Sequence, residues 1–268
     1  MKFSVLIMTL NEQKNIASCI KSVQPFSDDI VVLDSISTDD TVAISNQLGA
    51  RVYNRVFDNY ASQRNYGINE LKYDNTWLLM LDADEILTEE LGEEILKLEP
   101  DSNDAIFRFR RKDFFCNKWI KHSSGYPTWF GRLVKIGSVS VQREINEEYH
   151  TNGNVRMLQH HIDHFPFNNG VSFWLERHNK YSTMEADRMG ESVSVQYTKL
   201  FSKDPSDRRA CLKSIVYKLP LRPLVVFMIF YIYKLGFLDG VPGLKFSLLK
   251  FFYEFMIDLK VEEKGTSL

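Results

Sequence analysis

Short apolar runs separated by polar clusters dominate the first hundred residues. Phe3 to Met8 reads as a strand that ends in Thr9-Leu-Asn-Glu12, after which Ile16, Cys19, Ile20 and Val23 recur at helical spacing. Asp29 to Leu33 predicts a second strand, ending at Asp34. The segment that follows, up to Thr41, is rich in capping residues and opens a helix through Leu48 that Gly49 closes. Arg51 to Asn54 is a short third strand and Ala61 to Leu71 a helix. Trp77 to Leu81 is an unbroken apolar run, as expected of a strand covered on both faces, and it runs directly into Asp82-Ala-Asp-Glu85. Strand and helix alternation of this kind predicts right-handed crossovers, hence an α/β fold with a mostly parallel sheet flanked by helices. Ala105 to Val141 reads as strands and loops, and Phe173 to Ala186 as a helix. Two apolar helices, Leu224 to Tyr233 and Leu244 to Leu259, form a C-terminal appendage around the turn Gly236-Phe-Leu-Asp-Gly240.

Polar residues gather just past three strand ends, at Thr9 to Glu12, at Asp34 and at Asp82 to Glu85, the rim where open α/β sheets bind ligands. A dinucleotide fold would carry Gly-x-Gly-x-x-Gly after the first strand and a P-loop a glycine-rich turn ending in Lys-Ser/Thr; neither is present. The rim offers Asn11, Glu12, a carboxylate at Asp34 and an acid pair. That inventory suits a nucleoside diphosphate: Asp34 accepts from a base N–H, and a hard divalent cation, Mg2+ or Mn2+, at Asp84 neutralises the diphosphate. Taken alone, Asp-x-Asp is weak evidence and is more often the mark of a solvated loop that caps the following helix.

Composition narrows the field. The chain has 268 residues, 44% of them hydrophobic, with a formal net charge of -2, which provides core for a large domain and no footprint for nucleic acid. Three scattered cysteines suit a reducing, cytoplasmic setting, and the brief N-terminal apolar run reads as a strand and not as a signal peptide. His160, His161, Asp163 and His164 cluster in sequence, but one local group is weak grounds for zinc. Aromatic and basic residues interleave between Phe107 and Arg132. Trp129 is the first choice as a platform for a sugar ring, and Arg132 is among the cations that would meet a phosphorylated acceptor.

In order and spacing, Thr9-Leu-Asn-Glu12, Asp34-Ser-Ile-Ser-Thr-Asp-Asp-Thr41, Gln63-Arg-Asn65 and Leu81-Asp-Ala-Asp-Glu85 resemble the family 2 inverting glycosyltransferases of the GT-A fold. The resemblance continues through Tyr126-Pro-Thr-Trp-Phe-Gly-Arg-Leu133, Ile145-Asn-Glu147, His164-Phe-Pro, Tyr181 and Gly236 to Gly240. Within the family the pattern is similar to bacterial lipopolysaccharide inner-core β-1,4-glucosyltransferases. It implies a catalytic domain over 1–190, with a nucleotide-sugar half at about 1–100 and an acceptor half at about 101–190, and a helical region over 191–268. Thr9, Asn11, Glu12, Asp34, Arg64, Asp82 and Ala83 would then line the site of a nucleotide-sugar donor, a UDP-sugar first of all. Asp84 and His164 would hold the divalent cation, and Glu147 would be the base that activates a glycan or lipid-linked acceptor, with Glu144 and Glu148 as neighbouring alternatives. Asn146 stands where that family carries histidine.

Two other functions share this sheet. A nucleotidyltransferase would need a glycine-rich basic loop after the first strand, which Thr9-Leu-Asn-Glu12 is not, and a non-catalytic sugar-binding scaffold would be expected to lose its metal acid or its base. For the C-terminal helices two roles stand open: an anchor on the inner face of the cell membrane, or a packing element that includes a homodimer interface. The uninterrupted apolar stretch falls short of the ~20 residues a spanning helix needs.

Overall fold

A computed structural model describes residues 1–142, 148–189, 197–202, 205–216, 219 and 221–266. The chain divides into two compact units, one of residues 1–112 and 127–168, the other of residues 113–126 and 169–268.

The first unit is an α/β sheet. Its elements are β1 (Ser4–Thr9), α1 (Ile16–Val23), β2 (Ile30–Asp34), α2 (Thr41–Gln47), β3 (Arg51–Asn54), α3 (Tyr60–Glu70), β4 (Trp77–Asp82), β5 (Glu85–Leu87) and α4 (Glu89–Leu96). Then come β6 (Asp104–Phe115), whose last residues belong to the second unit with its partner β7 (Lys118–Trp119), and β8 (Trp129–Lys135), β9 (Ser140–Gln142), β10 (Glu148–His150) and β11 (Asn154–His164). The strand order is β3-β2-β1-β4-β8-β6-β11-β5. The first four strands are parallel, as the alternation predicts. From β8 outward the resolved pairings are antiparallel: β4 with β8, β8 with β6, and β11 with β5.

Both faces of β1, β2 and β4 are covered, which is why these strands read as continuous apolar runs, whereas the edge strand β3 is exposed at Arg51 and Asn54. Val5, Ile7, Val32, Leu79 and Leu81 point to the side packed by α1 and α4, while Leu6, Val31, Leu33, Leu78 and Met80 meet Ile68 and Leu71 at α3. The four apolar positions that predict α1 are all fully buried. Helix α3 has no such stripe; it lies close to the sheet because Gly67 has no side chain, and a Cβ there would sit 2.4 Å from Leu6 Cδ2. Asn59 caps α3 by accepting from Ser62 N at 2.8 Å, and Gly49 closes α2 with φ at 81°.

The second unit is helical: α5 (Val171–Met189), α6 (Pro205–Val216), α7 (Arg222–Met228) and α8 (Gly240–Thr266). A π-helical turn, Ile229–Tyr233, and a 3-10 turn, Gly236–Asp239, join α7 to α8. Buried Arg222 ties the two helices through Glu254 at 3.0 Å and Asp258 at 2.5 Å. Inside the bend, Asp239 accepts from His122 N, Ser123 N and Ser123 Oγ at 2.9, 2.7 and 2.9 Å. Among the described residues no single helix is long and apolar enough to cross a membrane, although the pair 222–233 and 236–265, bent by 69°, meets that test jointly.

Candidate active site

Register alone brings the rim together. Thr9 lies opposite Asp34 and Met8 opposite Asp82, so β1, β2 and β4 end at one level. At that level the chain leaves the sheet, and backbone and side-chain polar groups must find partners in the loops. Thr9 Oγ1 donates to Asp34 Oδ1 at 2.8 Å, and Ser37 N donates to Asp34 Oδ2 at 2.7 Å. Asn11 takes the left-handed conformation, φ 56°, that asparagine tolerates, and its Oδ1 accepts from Thr38 N at 2.8 Å. Glu12 N donates to Thr41 Oγ1, and Glu12 Oε2 accepts from Asn15 Nδ2, at 2.8 and 2.7 Å. The loops after β1 and β2 are thus laced into one surface. Within it Ile36 has φ at 66° and is half exposed, a genuine outlier for a β-branched residue. Such strain, of order 1–3 kcal/mol, persists where surrounding bonds impose it and gathers at ligand sites.

The two aspartates of Asp-x-Asp have different environments. Asp82 is clamped by two guanidinium groups, Arg64 Nη2 at 3.0 Å and Arg132 Nη2 at 2.8 Å. Arg132 and Arg64 are 5% and 3% exposed, whereas 34% of the Asp82 side chain remains accessible. Burial alone would raise the Asp82 carboxyl, but Arg132 and then Arg64 outweigh it and hold the group well below the usual carboxylate range. Glu85, fully buried, extends the cluster: it accepts from Asp82 N at 2.9 Å and lies 3.5 Å from Arg111 and 3.7 Å from Arg132. A buried charge set of this kind is stable only when its members are paired.

Asp84 instead faces a histidine. Antiparallel pairing of β5 with β11 sets His164 opposite Glu85, Phe165 N donates to Asp84 O at 2.9 Å, and His164 Nε2 comes within 3.4 Å of Asp84 Oδ2. Both residues are 7% exposed. The other histidines are engaged elsewhere, His160 with Glu94 at 2.8 Å and His161 near Asp163 at 3.6 Å, so the sequence cluster does not assemble as one site. Among the described residues no group of three or more histidine, cysteine or acidic side chains is arranged to hold a metal. The pair Asp84–His164, one oxygen and one nitrogen donor, fits a divalent cation that completes its shell with substrate oxygens and water. A cavity of about 510 Å³ opens beside it, lined by Asn15, Ser18, Lys21, Asp84, Phe165 and Asn168.

Cys19 of α1 lies against the end of β4. Its thiol, fully buried on α1, lies 3.7 Å from the Asp82 carbonyl, and it is pushed well above its ordinary value by burial and then by Glu85, Asp84, Asp82 and Glu12. The contact with the Asp82 carbonyl packs α1 against the end of β4, on the same side as the acid pair.

The remaining sequence candidates fall as follows. Ala83 is buried in the turn between Asp82 and Asp84. Trp129 is partly buried, with the Arg110 guanidinium 5.2 Å above its ring. Glu147 and Glu144 lie outside the described residues, and Glu148 enters by its backbone alone, opposite Gln142 in the β9–β10 hairpin. Asn65 holds that hairpin to α3 through Val141 N and O at 2.8 and 2.7 Å. Sequence reasoning passed over Glu85 as a participant distinct from the acid pair, and over Arg111 as its partner. An acid at the first position of an otherwise apolar strand was the available signal.

Comparison with known proteins is consistent with this geometry. The sequence model described as glycosyl transferase family 2 matches residues 4–168. An uncharacterized glycosyltransferase of Rickettsia felis is 46% identical over 94 residues, 35% of this chain and 32% of that protein. The chain thus matches about a third of the length of such relatives. The lipopolysaccharide core biosynthesis glycosyltransferase LpsC of Rhizobium meliloti is 27% identical over 199 residues, 70% of this chain and 72% of its own. Among solved structures, glucosyl-3-phosphoglycerate synthase of Mycobacterium tuberculosis, in complex with Mn2+, UDP and glucosyl-3-phosphoglycerate, gives a TM-score of 0.36 at 24% identity, over 41% of this chain and 44% of that one.

Proposed function

Because the chain belongs to glycosyl transferase family 2, we propose that it moves a sugar from a nucleoside diphosphate sugar, UDP-linked, to a lipid-linked saccharide acceptor with inversion at the anomeric carbon. The observation that carries this reading is the Asp84–His164 pair at 3.4 Å, set at the exit of β4 and next to the Thr9–Asp34 rim. The likeness to LpsC over most of both chains supports a lipopolysaccharide core acceptor.

In this reading Thr9, Asn11, Glu12 and Asp34 form the base and ribose pocket, and the Asn11–Thr38 and Glu12–Thr41 bonds hold its shape before the donor arrives. Asp84 and His164 would hold Mg2+ or Mn2+, which when bound would supply Lewis-acid neutralisation of the departing diphosphate. Arg64 and Arg132 fix Asp82 as a carboxylate, and its accessible oxygen surface orients the donor sugar or ribose. Glu147 takes the proton of the acceptor hydroxyl as that oxygen attacks the anomeric carbon from the face opposite the nucleotide. The C–O bond to the diphosphate breaks, the new glycosidic bond forms, and the nucleoside diphosphate leaves as an anion. Trp129, with the Arg110 guanidinium 5.2 Å over its ring, supplies a flat apolar surface for the acceptor sugar.

Thermal unfolding of the full chain in a panel of nucleotide sugars, with and without Mn2+, tests the donor site, since a ligand that binds only the folded state raises the midpoint by mass action. A metal-dependent rise with a uridine-linked sugar, lost in Asp84→Ala, is expected. Equal midpoints with every donor would refute the reading. A nucleotidyltransferase would release pyrophosphate in place of a nucleoside diphosphate, and a scaffold would release neither.

A further inference from the structure

The second unit carries an unusual surface. Half of the exposed large apolar side chains among the described residues fall within 221–259. At the bend between α7 and α8, Tyr233, Leu235, Phe237, Leu238 and Val241 are 84, 45, 45, 56 and 64% exposed. From there Leu248, Phe252, Phe255 and Leu259 continue along α8 at alternating intervals of four and three, a single stripe opposite the buried Gly243, Ser247 and Ile257. At 1.5 Å per residue the stripe from Val241 runs about 27 Å. Helix α7 shows a second stripe, Leu224, Met228 and Ile232. Continuous apolar surface on this scale marks a face that meets something other than water.

Charge decides what covers it. From 221 to 253 the sequence holds one carboxylate, Asp239, and that group is buried and held by the His122 and Ser123 backbone N–H groups. The cations in the same stretch are Arg222, buried in its ion pairs with α8, and Lys234, Lys245 and Lys250. Lys245 is exposed, while Lys234 and Lys250 lie over the Phe230 ring at 5.3 and 4.6 Å. The face is therefore apolar, aromatic and cationic, without an accessible acid until α8 reaches its ion-paired and acidic C-terminal half. A second copy of the chain would bring the same lysines against themselves near the bend, whereas an anionic lipid surface complements them.

The backbone is shaped to present this face. Leu221 and Leu235 adopt left-handed φ, 53° and 61°, on either side of α7 and its π turn, and both are exposed. Leucine is disfavoured there by roughly 1–2 kcal/mol and gains no burial in exchange. The bend's inner side is closely packed: a Cβ on Gly243 would lie 2.3 Å from Gly236 O. The two segments meet there at 69°. Because no single described helix passes as a span, a shallow entry of the bend into the headgroup region is the mode that fits its length and charge.

We propose that residues 233–241 and the outward stripe of α8 form an interfacial docking surface for an anionic phospholipid bilayer. Flotation of the full chain with phosphatidylcholine vesicles, with and without phosphatidylglycerol, tests it. Strong flotation with the anionic vesicles, weakened by salt, is expected. The double substitution Phe237→Glu/Leu238→Glu should lower it by tenfold or more at an unchanged unfolding midpoint, and Lys245→Gln by about fivefold. In parallel, Tyr233→Trp should shift its emission to the blue on addition of anionic vesicles. Failure of the wild-type chain to float with anionic vesicles, an unchanged Tyr233→Trp emission, or a light-scattering dimer that the double substitution dissociates in the absence of vesicle binding would overturn the proposal. Vesicle binding is read without donor or acceptor, so it stands or falls separately from the transferase reading.

Discussion

The strand-end rim of the first unit and the helical bend of the second distribute their residues in opposite senses. At the rim, charge is buried: Arg64, Arg132, Glu85 and Asp84 are each no more than 7% exposed, and every one is matched to an opposite charge or a histidine within 4 Å. At the bend apolar bulk is exposed, and the one acid is hidden. An inverted distribution is informative in either direction, because ordinary surfaces are polar or sparsely apolar and ordinary interiors uncharged. The rim's inversion is sustained by internal pairing, with the Asp82 side chain still partly accessible and Asp84 on the wall of a cavity. At the bend, internal pairing holds the one acid while the apolar side chains point outward.

The contrast can be broken most strongly at Asp84. Asp84→Ala should reduce nucleotide-sugar turnover by about 10²–10³-fold with little effect on folding, read as release of nucleoside diphosphate. Arg132→Ala tests the opposite property, since it leaves Glu85 and Asp82 short of a buried partner and should lower stability by about 3 kcal/mol in a denaturant titration. Gly243→Ala forces a methyl against Gly236 O on the packed side of the bend and should cost about 1–3 kcal/mol, whereas glutamates at Phe237 and Leu238, on its open side, should change stability by no more than about 0.5 kcal/mol. The one gain is expected at Ile36, where Ile36→Gly relieves a left-handed β-branched residue and should raise stability by about 1 kcal/mol.

Acid sharpens the same comparison. Burial, aided by neighbouring cations, lowers His161 in the first unit and His178 in the second to about 4, from an ordinary 6.5. Each is neutral in the fold and takes up a proton more readily when unfolded, so its contribution is present above pH 6.5 and is lost as pH falls toward 4. The Asp82 carboxyl, held low by its arginines, contributes above the ordinary carboxylate range and is lost only below it. Stability measured against pH should therefore fall first between 6.5 and 4, and His178→Gln should flatten that limb while leaving the steeper loss at lower pH.

Much of the first unit was legible in the chain. The strands at Ser4–Thr9, Ile30–Asp34 and Trp77–Asp82 fall where the apolar runs place them, because a strand covered on both faces can be nothing but apolar, and the edge strand Arg51–Asn54 falls in its expected place without such a run. The ends of those runs also located Thr9, Asp34 and Asp84. Less of the antiparallel half could be read. Strand β5 is three residues long, too short for a period, and the pairing of Glu85 with His164 joins residues 79 positions apart.

Local pattern thus determined which segments are strands, which are helices and which polar residues stand at strand exits, because side-chain periodicity is set by backbone geometry alone. Tertiary structure decided what those residues do to one another. It gave Asp82 to two arginines and Asp84 to a histidine, though the two acids are neighbours in an identical motif, because Arg64, Arg132 and His164 arrive from separate elements. It also decided which apolar side chains of α8 are core and which are surface, since burial depends on what packs against a helix and the sequence of the helix records only that both of its faces are apolar.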